Sequence, residues 1–150
     1  MEIPKNKDPR IVLLVDNFEP VLEVTEGYLE SEGFSVLTAT TGIDALRVAQ
    51  QYSGTIDLLL TEEHLPGMNG ATVAARLKFL RPNLAVIVMS AAIQGKTYAE
   101  YEAQHGALFL WKPFAKSELI DKVSTALQEK QISSTSTGSQ EEIGPAASLL

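Results

Sequence analysis

Apolar residues follow two rhythms along this chain. Five short stretches are largely apolar: Ile11-Val12-Leu13-Leu14-Val15, Phe34 to Ala39, Ile56 to Thr61, Ala85-Val86-Ile87-Val88-Met89 and Leu108-Phe109-Leu110-Trp111. Runs of this length read as strands buried on both faces of a parallel sheet. The segments between them carry apolar residues at helical spacing instead. Pro20 suits the first turn of a helix running to about Glu32, with Val21, Leu22, Val24, Thr25 and Leu29 turned inward and Gly33 as its stop. Thr41-Gly42 opens a second helix, with Ile43, Leu46 and Ala49 on one side. A third covers Ala71 to about Leu80 and ends before Pro82, and a fourth lies near Lys96 to Gln104. The last, about Lys116 to Lys130, groups Leu119, Ile120, Val123 and Leu127.

A strand-helix alternation repeated five times predicts an α/β fold, an open, doubly wound parallel sheet with helices on both faces and right-handed crossovers. In such sheets ligand sites form at the carboxyl ends of the strands. Four of the apolar runs lead into Asp16, Glu62, Ser90 and Lys112. Two acids, a hydroxyl and a lysine are therefore expected to converge on one phosphate-type site.

Composition narrows the classes. The chain has 150 residues, enough for one domain with a sizeable core. Residues 1–9 read as a flexible leader and 10–130 as the domain. The Ser/Thr/Gly-rich stretch at 131–150 is expected to be a disordered tail with no output domain behind it. A net charge of -7 argues against direct nucleic-acid binding, which needs clustered Lys and Arg. The absence of cysteine excludes disulfides, thiolate metal sites and cysteine nucleophiles. No apolar stretch approaches a membrane span and the first ten residues lack a signal-peptide pattern, so a cytoplasmic location is the expectation.

Four fragments then carry a resemblance: Val15-Asp16-Asn17-Phe18-Glu19-Pro20, Leu65-Pro66-Gly67-Met68-Asn69-Gly70, Met89-Ser90-Ala91 and Lys112-Pro113-Phe114. In their order and spacing the chain, from residue 10 to about 130, resembles the receiver domains of two-component response regulators. The resemblance implies a flavodoxin-like (CheY-like) fold with strand order 2-1-3-4-5 and five helices. It also implies phosphorelay chemistry. In that family an aspartate four residues before the loop proline takes a phosphoryl group from a histidine kinase, and an acidic pair after the first strand helps to hold magnesium. A Ser or Thr after the fourth strand and a Lys after the fifth contact the phosphoryl oxygens. Carried over residue by residue, the acceptor position is Glu62 and the pair is Asp16 and Asn17. The phosphoryl contacts are Ser90 and Lys112. His64 supplies a backbone carbonyl to the metal, so its imidazole need not matter. Ser90 and Phe109 form the switch, and Lys112-Pro113 is expected to be cis.

Two positions depart from that pattern. Glu62 moves the acceptor carboxylate outward by one methylene, and a misplacement near one ångström is worth on the order of a hundredfold in rate. Asn17 removes a charge from a hard-cation site, so magnesium binding is expected to be weak. Glu62 then reads as a mimic of the phosphorylated state, as a lost switch neutralised by Lys112 with binding retained, or as a residual acceptor. The resulting expectation is an atypical receiver, not an enzyme, working by phosphorylation-independent contact with a histidine kinase or another signalling protein. The alternatives are a conventional or slow phosphoryl acceptor, and a stand-alone scaffold dimerising through the fourth helix, fifth strand and fifth helix.

Other candidates read blandly. His64 and His105 lack ligand spacing. Glu63 follows Glu62 and should point away from it. Asp44, Glu100 and Glu102 read as solvated helix faces, and Tyr98, Tyr101, Phe109 and Trp111 as mostly core around the fourth helix and fifth strand, with an exposed interaction patch as the alternative. A nucleotide or flavin site would want a Gly-rich loop after the first strand, where this chain has none.

Overall fold

Alternate strand residues feed two separate interiors, one on each side of a single sheet. A computed structural model describes residues 8–92 and 98–129, without the side chain of Tyr98. Most of the expected leader, the whole of the 131–150 tail and the expected helix start at Lys96 lie outside the described residues. The strands are β1 (Ile11–Val15), β2 (Ser35–Ala39), β3 (Leu58–Glu62), β4 (Ala85–Ser90) and β5 (Leu108–Trp111). The helices are α1 (Glu19–Ser31), α2 (Gly42–Gln51), α3 (Gly70–Leu80), α4 (Tyr98–His105) and α5 (116–129). All pairings are parallel, in the order β2-β1-β3-β4-β5.

Because successive side chains on a strand point to opposite faces, Leu13, Val15, Leu59, Val86, Val88 and Phe109 face α2, α3 and α4. Their neighbours Val12, Leu14, Leu58, Leu60, Ile87 and Met89 face α1 and α5. Both faces of the central strands are buried, which is why these strands read as unbroken apolar runs rather than alternating ones.

Two helices turn differently from the expectation. In α1 the buried residues are Leu22, Thr25 and Leu29, while Val24 is exposed. In α2 the inward face is Gly42, Ala45 and Ala49, and Ile43 stands 62% exposed. The observed spacing of three then four residues matches two turns of 3.6, whereas repeated steps of three drift off the face. Thr41 and Asn69 cap α2 and α3, accepting from Asp44 N–H at 3.0 Å and Thr72 N–H at 2.8 Å. Gly33 follows α1 with φ of +92°, a left-handed geometry that favours glycine.

Inside the α1 layer, the Thr25 hydroxyl is buried with no hydrogen-bond partner among the described residues. Thr25→Val keeps the branched shape and removes the unsatisfied oxygen. It is expected to raise the unfolding free energy by about 1 kcal/mol, read from the midpoint of a denaturant titration.

Candidate functional site

Register brings the polar strand ends to one edge. Val15 is level with Thr61, Glu62 with Met89 and Ser90 with Trp111, so Asp16, Glu62, Ser90 and Lys112 all stand at the carboxyl side of the sheet. Lys112 ties the acids together. Its Nζ donates to Asp16 Oδ2 at 2.6 Å and to Glu62 Oε1 at 2.7 Å. Asp16 is 1% exposed and Glu62 8%. Two carboxylates so placed repel one another unless a cation stands between them, and the lysine ammonium is that cation. The Lys112-Pro113 bond is cis.

The remaining oxygens of the pair are held by backbone. Phe18 N–H donates to Asp16 Oδ1 at 2.9 Å, closing a local turn at the entry to α1. His64 N–H donates to Glu62 Oε2 at 2.8 Å. Asn17 is exposed beside Asp16. Ser90, fully buried, donates its hydroxyl to Ala92 O at 2.7 Å and accepts from Ala92 N–H at 3.1 Å. Both of these hydroxyl bonds therefore lie within its own loop, while the Ser90 backbone carbonyl accepts from Lys112 N–H at 3.0 Å. The His64 imidazole, expected to be idle, has its Nε2 3.2 Å from the same Ala92 oxygen.

Glu63 points out of this cleft. Its Oε1 accepts from Ala71 N–H and from the Tyr101 hydroxyl, each at 2.9 Å. Burial, then the charge and hydrogen bond of Glu63, then the charge of Glu62, push the Tyr101 hydroxyl well above the ordinary phenol range. The Tyr101 ring lies edge-on to Phe109 at 5.2 Å and tilted over His105 at 4.4 Å, and Phe109 lies edge-on to Trp111 at 5.0 Å. Glu102, expected on a solvated face, instead accepts from Phe109 N–H at 2.8 Å, closing the turn between α4 and β5. Asp44 pairs with Arg47 on the surface at 2.8 Å.

The donor set around Lys112 is oxygen-only and suits a hard cation, with Asp16 and Glu62 facing one point and Asn17 beside them. The ammonium already fills that point. Among the described residues no group of three His, Cys, Asp or Glu converges as a metal cluster. A divalent ion fits only by sharing the carboxylates with Lys112.

Comparison with known proteins sets this geometry in context. The family model described as the response regulator receiver domain matches residues 12–124. Sensor kinase CckA of Brucella abortus (strain 2308) is 27% identical over 119 residues, 79% of this chain and 13% of that protein. A putative response regulator from Chloroflexus aurantiacus J-10-fl is 32% identical in its crystal structure, with a TM-score of 0.69, over 81% of this chain and 99% of that one. A CheY-like receiver domain protein from Methanospirillum hungatei JF-1, 24% identical, shares the fold at a TM-score of 0.75 over 84% and 99% of the two chains. The chain spans between 13% and 57% of the length of curated relatives it matches.

These matches correct one expectation. They set the chain among ordinary receiver domains and favour phosphorylation-dependent signalling, so the atypical, phosphorylation-independent reading is withdrawn. Nor does the third strand segment lack an aspartate, because Asp57 stands immediately before Leu58. Its carboxylate accepts from Ile11 N–H at 2.8 Å, at the amino edge of the sheet. Asp57 and Glu62 thus bracket β3, one at each end, and Glu62 is the one bonded to Lys112.

Proposed function

The chain belongs to the response regulator receiver domain family, and on that premise we propose that it is a phosphorylation-dependent receiver, taking a phosphoryl group from a histidine kinase. Receivers are signalling modules that partner histidine kinases in two-component systems, and they are not metabolic enzymes. The observation that carries the proposal is Lys112, whose ammonium sits 2.6 and 2.7 Å from two buried carboxylates at the ligand-binding edge of the sheet.

In the transfer a carboxylate oxygen attacks the phosphorus of a phosphohistidine. The P–N bond breaks, its electron pair stays on the imidazole nitrogen, and that nitrogen takes up a proton. An acyl phosphate remains on the receiver. Lys112 then exchanges one carboxylate for a phosphoryl oxygen, a charge-assisted contact that needs little movement. Ser90 turns its hydroxyl from Ala92 to a second phosphoryl oxygen. Asp16, Asn17, Glu62 and the His64 carbonyl would hold magnesium, which neutralises phosphoryl charge when bound.

Two carboxylates compete for the role of acceptor. The family's chemistry favours an aspartate, hence Asp57, and the distances favour the end of β3 that faces Lys112, hence Glu62. Incubation with a small phosphodonor and magnesium, followed by intact mass measurement, decides between them. Loss of the label in Glu62→Gln with retention in Asp57→Asn assigns it to the cleft. The reverse assigns it to Asp57 and removes Lys112 and Ser90 from direct contact with the group. Labelling that survives both substitutions overturns both assignments.

Magnesium binding is proposed to be weak, because Asn17 offers a neutral oxygen where a second acid would compensate charge. Asn17→Asp is expected to tighten it on the order of tenfold, measured by calorimetric titration. The face of α4, β5 and α5, where Trp111 stands 44% exposed, is the proposed surface for a homodimer or a downstream protein.

A further inference from the structure

Glu63 and Tyr101 lie outside the cleft, yet they join the loop that follows Glu62 to a helix two strands away. Glu63 is pinned on three sides. Its N–H donates to Met89 O at 2.8 Å, its carbonyl accepts from Gly70 N–H at 2.8 Å, and Oε1 accepts from Ala71 N–H at 2.9 Å. A further bond reaches across the fold, from the Tyr101 hydroxyl in α4 at 2.9 Å. Tyr101 is only 2% exposed, its ring packed against Phe109 and His105. A buried phenol beside carboxylates keeps its proton, so it is the donor, and its acceptor is charged, the stronger class of hydrogen bond.

We infer that the Tyr101–Glu63 hydrogen bond is a positioning contact that ties α4 to the loop carrying Glu62, by a route separate from Ser90. Glu63 follows Glu62 directly along the chain, so a shift of the Glu62 backbone moves the atom that Tyr101 holds. At the other end Tyr101 touches Phe109, which touches Trp111 on the surface. The inference deepens the receiver reading by naming a second link from cleft to output face. Its test needs no phosphoryl group, so it stands or falls apart from that reading.

The test is a double-mutant cycle read by amide hydrogen exchange in residues 98–105 and by the emission of Trp111, the chain's single tryptophan. Tyr101→Phe keeps the ring and deletes the hydroxyl, and α4 exchange is expected to quicken about tenfold while β1 amides stay unchanged. Glu63→Gln keeps an accepting oxygen but loses its charge and should fall between wild type and Tyr101→Phe, whereas Glu63→Ala should match Tyr101→Phe. Glu62→Gln, which weakens the Lys112 pair, should shift Trp111 emission and α4 exchange in wild type. In the Tyr101→Phe background less than half of that shift should remain. An equal shift in both backgrounds overturns the coupling, and unchanged α4 exchange in Tyr101→Phe overturns the tie itself.

Discussion

Gly70→Ala is expected to lower the unfolding free energy by about 3 kcal/mol and to abolish phosphoryl labelling with it. Gly70 opens α3 and donates its N–H to Glu63 O at 2.8 Å, so the two backbones run together. A methyl group there would overlap the Glu62 carbonyl oxygen, and would lie 3.0 Å from Glu63 Cα and 3.1 Å from the Glu62 carbonyl carbon. All three are backbone atoms and have no rotamer to escape into. Relief requires the β3–α3 loop to move, and Glu62 and Glu63 with it. Denaturant titration measures the first effect and intact mass after phosphodonor treatment the second. A fully stable Gly70→Ala protein would mean that this loop is looser than its hydrogen bonds imply.

Lys112→Met is expected to destabilise the fold by about 3 kcal/mol, the range for removing one partner of a buried ion pair. The loss comes from what is left behind. Asp16 Oδ2 and Glu62 Oε1 both address the ammonium, and without it two buried carboxylates face one another across an apolar thioether. Methionine fills the space but donates neither bond. Asp16→Asn added to Lys112→Met should recover part of the stability, because it removes one of the opposed charges. That recovery, measured by denaturant titration, separates electrostatic repulsion from lost packing.

The unbroken apolar runs located β1, β3 and β4 because both faces of the sheet's centre are covered, and Glu62 and Ser90 extend β3 and β4 by one polar residue each. The edge strand β2 (Ser35-Val36-Leu37-Thr38-Ala39) was legible despite two polar residues. Helix α1 was legible from Pro20 and Gly33. The inward face of α2 was not, because its buried positions are glycine and alanine while its isoleucine faces solvent. Small residues bury through close approach, which depends on the neighbouring helix rather than on local hydrophobicity. At the site, parallel topology alone takes Asp16, Glu62, Ser90 and Lys112 to one edge. The Glu63–Tyr101 bond joins residues 38 apart through loop geometry, and nothing in either segment signals it. The Ser90 and His64 contacts with Ala92 are likewise products of loop shape. The functional expectation failed for a different reason. It weighed one methylene at Glu62 above the match of the whole domain to ordinary receivers, and it passed over Asp57.

Phosphoryl uptake by the unaltered chain tests the central claim most directly. The wild-type protein is incubated with a small phosphodonor and magnesium and weighed intact over time. The predicted result is the added mass of one phosphoryl group, released again in mild base as an acyl phosphate is, and much reduced in Lys112→Met. A wild-type mass that stays unchanged at saturating donor would contradict the account.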